Sequence, residues 1–160
     1  MRHIMNDATL MRYIERDIRL ALDDTGKEIL EMIQNSMDKW IYEYHKPNQI
    51  YAYYEGNPTY EFWNSWRSFV RKSGISGIYT KIESDGKSMS YDPEYGIHGN
   101  SQQDLRNEMS GIINNGVGEM DRWYNKPRPF FDDVINKLDT GGYIWAMIRQ
   151  KMRQRGLNVI

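Results

Sequence analysis

One long amphipathic stretch decides the fold: residues 7–45 read DATLMRYIERDIRLALDDTGKEILEMIQNSMDKWIYEYH. Its apolar residues recur at helical spacing and form a single stripe. They are Met11, Ile14, Ile18, Leu22, Ile29, Ile33, Trp40 and Tyr44. Asn6 or Asp7 is a suitable N-cap. The pattern predicts one kinked helix, about 55–60 Å long at a rise of ~1.5 Å per residue. That length exceeds what one compact domain of this size needs, so we expect part of the helix to pack on another subunit.

Two residues interrupt the composition of this stretch. Thr25 with Glu28 fits a capping box that would open a second helix, and Gly26 is a weak helix former. The apolar phase is nevertheless kept across the interruption, which a helix-turn-helix has no reason to preserve. The pattern therefore favours a single helix.

The remaining sequence predicts an α+β fold in a single domain, residues 1–160. In this fold the long N-terminal helix and a C-terminal helix pack on a small antiparallel sheet built around a β-hairpin. Asp85-Gly86 is a two-residue hairpin signal after a β-rich run, and Gly141-Gly142 marks a break in the last helical region. The predicted elements after the first helix are a short amphipathic helix over 59–72, a β-hairpin over 74–91, a polar excursion over 100–118 with a helix from Gln103 to Ile113, and a C-terminal helical region over 129–155.

Composition excludes several classes of partner and chemistry. The 21 basic and 22 acidic residues nearly cancel, so bulk charge predicts no attraction to nucleic acid. The chain has no cysteine, which excludes disulfides, thiolate nucleophiles and cysteine-bound zinc. No apolar run approaches the roughly 20 residues that span a bilayer, so we expect no membrane partner.

No recognisable catalytic apparatus is present. Gly86-Lys87-Ser88 matches the end of a phosphate-binding loop, but Lys81 stands where that loop requires its first glycine. Asp92, Glu94 and His98 have donor atoms that suit a metal, although a solvated turn explains them better. We therefore predict no catalytic, cofactor-binding or metal-binding residues, and a protein that is not an enzyme.

Aromatic residues are abundant, with 5 Trp, 12 Tyr and 4 Phe. Tyrosine buries a large area and keeps a polar edge, which suits subunit interfaces. Residues 50–58 show neither strand nor helix periodicity, so we interpret them as a loop that meets a neighbouring subunit. A two-stranded ribbon is marginal in water, so the hairpin is expected to join the same contact. The predicted interface residues are Tyr51, Tyr53, Tyr54, Ile75, Ile78 and Tyr79.

Two short strings carry a resemblance to a known family. Glu94-Tyr95-Gly96 follows the predicted hairpin, and Arg128-Pro129-Phe130-Phe131 opens the C-terminal helical region. With the long N-terminal helix before them, this order resembles the tail-completion or neck (head–tail joining) proteins of tailed bacteriophages. The resemblance covers most of the chain, and it implies that both strings are scaffold motifs.

The resemblance also implies a function. Members of that family are small α+β proteins that form a ring, commonly of six subunits. The chain would then be a structural adaptor in the virion neck, assembled in the host cytoplasm and needing no cofactor. One face would meet the head connector or an adaptor protein and the other the tail terminator or tube, with DNA passing through the channel.

A basic C-terminal segment leaves a second hypothesis open, that of a small DNA-binding or packaging-associated phage protein. Clustered cations give phosphate affinity independently of net charge. The same cations also complement a helix dipole, or meet acidic surface on an adjoining ring. The residues concerned are Arg149, Lys151, Arg153 and Arg155.

Overall fold

The fold is α+β: a long N-terminal helix, a small antiparallel two-stranded sheet and a C-terminal helical region. The computed structural model describes residues 7–43, 61–73, 77–89, 106–116 and 127–159. Its helices are α1 (Asp7–Met37), α2 (Glu61–Asn64), α3 (Met109–Asn115), α4 (Phe130–Asp139) and α5 (Tyr143–Gln154). Its strands are β1 (Trp66–Ser73) and β2 (Gly77–Ser84).

The helix predicted over residues 7–45 is confirmed through residue 43. Helix α1 continues past Met37 as a π-helical segment, Asp38–Glu43, and runs through Thr25 and Gly26 without a break. The Thr25 hydroxyl donates a 2.8 Å hydrogen bond to the Ala21 carbonyl, so its polar group is satisfied inside the helix. The capping-box alternative is therefore wrong.

The helix predicted over 59–72 is wrong for most of its length. Helical structure is limited to α2, and β1 begins at Trp66. Trp66, Phe69 and Val70 recur at helical spacing, but aromatic and β-branched residues also favour strands. Pairing with β2 decides between the two, and local spacing does not report that pairing.

The predicted hairpin turn at Asp85-Gly86 is also wrong. Strand β2 largely coincides with the first strand predicted over 74–83, but it pairs with β1, which precedes it in the chain. The Asp85 amide donates a 2.8 Å bond to the Ser65 carbonyl. Asp85 instead caps a 3₁₀ turn, Gly86–Ser88, by accepting a 3.2 Å bond from the Lys87 amide. The return strand expected from Lys87 onward therefore does not form over its described residues.

The C-terminal helical region is confirmed, including its break. Gly141 and Gly142, between α4 and α5, have φ angles of 62° and 72°, a left-handed conformation that glycine adopts without strain. Within the polar excursion, α3 covers the second part of the predicted helix.

The described chain forms two compact units. Unit 1 comprises residues 1–29, 68–82 and 137–160, and unit 2 comprises residues 30–67 and 83–136. The single domain stays a prediction. Unit 2 has the larger apolar core, which consists of Ile33, Met37, Phe62, Trp66, Met89, Phe130 and Val134; unit 1 buries Ala21, Ile29, Leu138 and Met147.

In unit 1 the first half of α1 contacts the hairpin. The Thr80 hydroxyl donates a 2.9 Å bond to the Leu22 carbonyl, and Lys72 Nζ lies 3.1 Å from Glu15 Oε1. The Lys72 hydrogen bond, with that of Arg19, holds the pKa of the Glu15 carboxyl below its ordinary value. Because the folded pKa is depressed, this contribution to stability is present at neutral pH and is lost as pH falls through the lowered pKa.

Candidate functional site

Exposed apolar side chains concentrate on unit 1. Eight large apolar residues of the described ranges are exposed, and seven of them belong to this unit. Those seven are Leu10, Met11, Tyr13, Leu20, Tyr79, Tyr143 and Trp145, and the eighth, Ile135, belongs to unit 2. Single exposed apolar residues are ordinary in proteins. Among its described residues, however, unit 1 exposes seven large apolar side chains and buries only four apolar ones, so its apolar surface is unusually large.

Three of these residues share the outward face of α1. Leu10, Tyr13 and Leu20 are 47%, 45% and 41% exposed and lie three and seven residues apart, which places them on one side of the helix. Ile29 is buried on the side of the same helix opposite to Tyr13 and Leu20. The Arg16 guanidinium lies 4.9 Å from the centre of the Tyr13 ring and restrains it by a cation–π contact. We call Leu10, Tyr13 and Leu20 the α1 outer stripe.

The interface residues predicted from sequence are only partly within the described structure. Tyr79 is exposed, with 45% of its surface accessible, and Ile78 is half-buried beside it in β2. Tyr51, Tyr53, Tyr54 and Ile75 lie outside the described residues, as do Glu94, Tyr95 and Gly96. The structure thus adds the α1 outer stripe, which the sequence reasoning missed because it followed the buried phase of the helix.

The two units carry opposite charge. Among the described residues, unit 1 has 12 Lys and Arg against 7 Asp and Glu, a formal charge of +5. Unit 2 has 5 against 9, a formal charge of −4. The chain's net charge of −1 therefore conceals a segregation that composition alone does not reveal.

The four cations predicted as a phosphate or acidic-partner contact separate into two pairs. Lys151 Nζ lies 2.8 Å from a Glu28 carboxylate oxygen, and Arg155 forms an ion pair with Asp24, so both engage α1 within unit 1. The hydrogen bond to Glu28 raises the pKa of the Lys151 ammonium. Arg149 and Arg153 are exposed on the other side of α5. Phosphate contact stays a prediction, and Arg149 and Arg153, which form no ion pair with a described residue, are the candidates for it.

The Arg128–Phe131 string lies at the start of α4, where the structure adds a cap that sequence reasoning missed. Asn114, from the end of α3, accepts bonds of 3.0 and 3.3 Å from the amides of Phe131 and Asp132. These amides lack intrahelical partners, and the side chain of Pro129, just before the helix, has no oxygen atom that could accept their hydrogen bonds. The Arg128 amide also donates a 2.9 Å bond to the Ile113 carbonyl. The end of α3 therefore fixes the start of α4.

Replacing Asn114 by alanine should lower the free energy of unfolding by about 1–2 kcal/mol, because a buried cap is lost and two helix amides stay unpaired. Urea denaturation followed by circular dichroism measures the change. Asn114→Asp keeps a side-chain oxygen that can accept from both amides and gives up only the Nδ2 bond to Asn115, so it is the matched control. Equal loss in both variants would contradict the capping role.

The described residues show little that suits catalysis. No group of three or more His, Asp or Glu side chains capable of holding a metal occurs within them, and Asp92, Glu94 and His98 lie outside. Gly86-Lys87-Ser88 forms the 3₁₀ turn after β2, with Gly86 packed against Arg106 and Asn107. Among the helices that the structure describes, none is long and apolar enough to cross a membrane.

Comparison with known proteins gives one family. No curated protein and no solved structure matches the chain significantly. The YomN family model matches residues 6–154, which is nearly the whole sequence, and that family derives from a Bacillus phage. The chain is therefore a phage-related protein, and it belongs to the YomN family.

Proposed function

We propose that this protein is a structural adaptor of the tailed-phage neck, which forms a ring between the head connector and the tail around a channel for DNA. The observation that carries the proposal is the exposed apolar surface of unit 1, which includes the α1 outer stripe. A protein that works by assembly needs such surface on every copy, because each subunit must bury part of itself against the next.

The segregation of charge supports a ring in particular. A ring requires heterologous contacts, in which one surface of a subunit meets a different surface of its neighbour. Unit 1 is positive and unit 2 is negative within the described residues. Contact between unit 1 of one copy and unit 2 of the next brings opposite charges together, whereas contact between two copies of unit 1 brings like charges together. The charges therefore favour the heterologous arrangement.

The phage origin of the family is consistent with this role. A second candidate, a small DNA-binding or packaging-associated phage protein, is favoured by one observation, the exposed Arg149 on α5, which pairs with none of the described residues. The two functions are separated by measuring assembly and DNA binding independently.

The assembly test uses the α1 outer stripe. Changing Tyr13 and Leu20 together to Gln keeps good helix formers at exposed positions, so the variant should fold as the unchanged protein does. We expect the unchanged protein to form rings, alone or with the head connector, and the double variant to lose them. Native mass spectrometry and electron-microscope class averages measure the assembled state.

The matched control is Asn35→Gln, at an exposed polar position further along α1. It should assemble normally. A chain that stays monomeric both alone and with the connector would overturn the adaptor function. Rings that persist in the Tyr13/Leu20 variant would remove the α1 outer stripe from the interface.

A further inference from the structure

Helix α5 presents two faces with different cations. Lys151 and Arg155 are directed to Glu28 and Asp24 of α1, where their charges are neutralised. Arg149 and Arg153 lie four residues apart on the exposed side. The Arg153 guanidinium donates one 3.1 Å bond to the Val159 carbonyl, and Arg149 forms no hydrogen bond or ion pair with any described residue.

The helix dipole does not explain Arg149. Cations stabilise a helix C-terminus only within its last turn, and α5 ends at Gln154, five residues beyond Arg149. Like charges at positions i and i+4 also repel each other on a helix surface. This pair is therefore unfavourable for the isolated helix and indicates an anion supplied from outside the chain.

The surroundings of the pair favour phosphate over a protein surface. Arg149 and Arg153 line a shallow cleft with Ala146, Gln150 and Gln154. The residues that line this cleft include no large apolar side chain, whereas protein interfaces centre on such residues. The exposed Trp145, four residues before Arg149 on the same side of α5, stands outside this lining. Its polar groups include two guanidinium forks and two amides, and both kinds donate hydrogen bonds to phosphate oxygens in nucleic-acid complexes.

We propose that this α5 cleft binds the phosphate backbone of duplex DNA through Arg149 and Arg153. Four residues of helix advance about 6 Å, so the two side chains can engage neighbouring phosphates. No base contact is assigned, so binding is expected to be independent of sequence. The inference deepens the adaptor function and rests on it only for the source of the DNA, which would be the genome in the channel.

The test compares two double variants of the full chain that remove equal charge from the same helix. DNA affinity is measured by fluorescence anisotropy on a labelled duplex across a salt series. For Arg149→Gln with Arg153→Gln, the slope of log affinity against log salt should become shallower by about 1.8, because two phosphate contacts are lost. For Lys151→Gln with Arg155→Gln, whose side chains face α1, the slope should be unchanged.

A third variant, Arg149→Lys with Arg153→Lys, keeps both charges and protects the test against misfolding. It should retain the slope while binding more weakly, because lysine cannot form the bidentate contact. Absence of DNA binding by the unchanged protein at low salt would overturn the proposal. Equal slopes in the two Gln double variants would overturn it as well.

Assembly is measured in parallel on the same proteins. Intact rings with an unaltered salt slope in Arg149→Gln/Arg153→Gln would remove the DNA site and leave the adaptor function standing. DNA binding by a chain that never forms rings would leave the site standing and remove the adaptor. Loss of rings together with an unaltered slope would assign the cleft to an acidic protein surface and overturn the DNA proposal.

Discussion

Replacing Phe130 by alanine should lower the free energy of unfolding by about 3–5 kcal/mol, the range for a large aromatic removed from a core. Phe130 is 0% exposed, and its ring centre lies 5.7 Å from that of Phe62 and 5.9 Å from that of Trp66, both edge to face. Phe131 stacks on Trp66 at 5.8 Å. The deletion would leave a cavity bordered by rigid rings, which collapse poorly around a void.

The measurement is urea denaturation of the variant beside Ile135→Ala, a control on the same helix at a side chain that is 39% exposed. The control should change stability by less than about 1 kcal/mol. Domains are typically stable by only about 5–15 kcal/mol, so the Phe130 variant should be close to unfolding at room temperature. Similar denaturation midpoints for both variants would show that the aromatic cluster does not hold unit 2 together.

Helix α1 and the C-terminal helical region were predictable because their information is local. The apolar phase of α1 persists through Gly26, and the pair Gly141-Gly142 combines low helix propensity with the freedom to adopt positive φ. The start of the C-terminal helical region at Pro129 was likewise predicted, and α4 begins at Phe130. In each case the deciding physics acts within a few residues.

The errors came from contacts between distant residues. Trp66 and Phe69 recur at helical spacing, and only pairing with β2 decided for β1. Asp85-Gly86 is a genuine turn signal, but it ends β2 because the Asp85 amide pairs with Ser65. Asn114 had no local signal at all, since the helix it caps begins at Phe130.

The candidate site, too, was predictable from the sequence only in part. Sequence identified the basic end of α5, but it could not separate Lys151 and Arg155 from Arg149 and Arg153. The acidic partner of Arg155 is 131 residues away, near the middle of α1. Helical phase alone predicts two faces for α5 and does not say which of them meets acidic side chains. The fold therefore supplies the distinction on which the DNA test depends.

Replacing Gly26 by alanine should destabilise the protein, although the same change usually stabilises a helix. In an open helix, glycine to alanine stabilises by about 1 kcal/mol. At Gly26 an added Cβ would overlap Ser68 Oγ and approach Thr80 Cγ2 to 2.5 Å. Ser68 can turn away, but Thr80 is held by its hydrogen bond to the Leu22 carbonyl. Overpacking typically costs about 1–3 kcal/mol, so Gly26→Ala should be net destabilising by up to about 2 kcal/mol in thermal or urea denaturation.

Gly111→Ala in α3 is the matched control, because nothing lies within 4 Å of the Cβ it would add. It should be neutral or stabilising by at most about 1 kcal/mol. Thr80→Ser removes the obstructing methyl group and keeps the hydroxyl, so combining it with Gly26→Ala should restore part of the loss as a measurable coupling energy. If Gly26→Ala stabilised the chain as Gly111→Ala does, the hairpin would not pack against α1 at this point. The glycine would then be an ordinary weak position in the helix, and the close approach of β2 to α1 would be refuted.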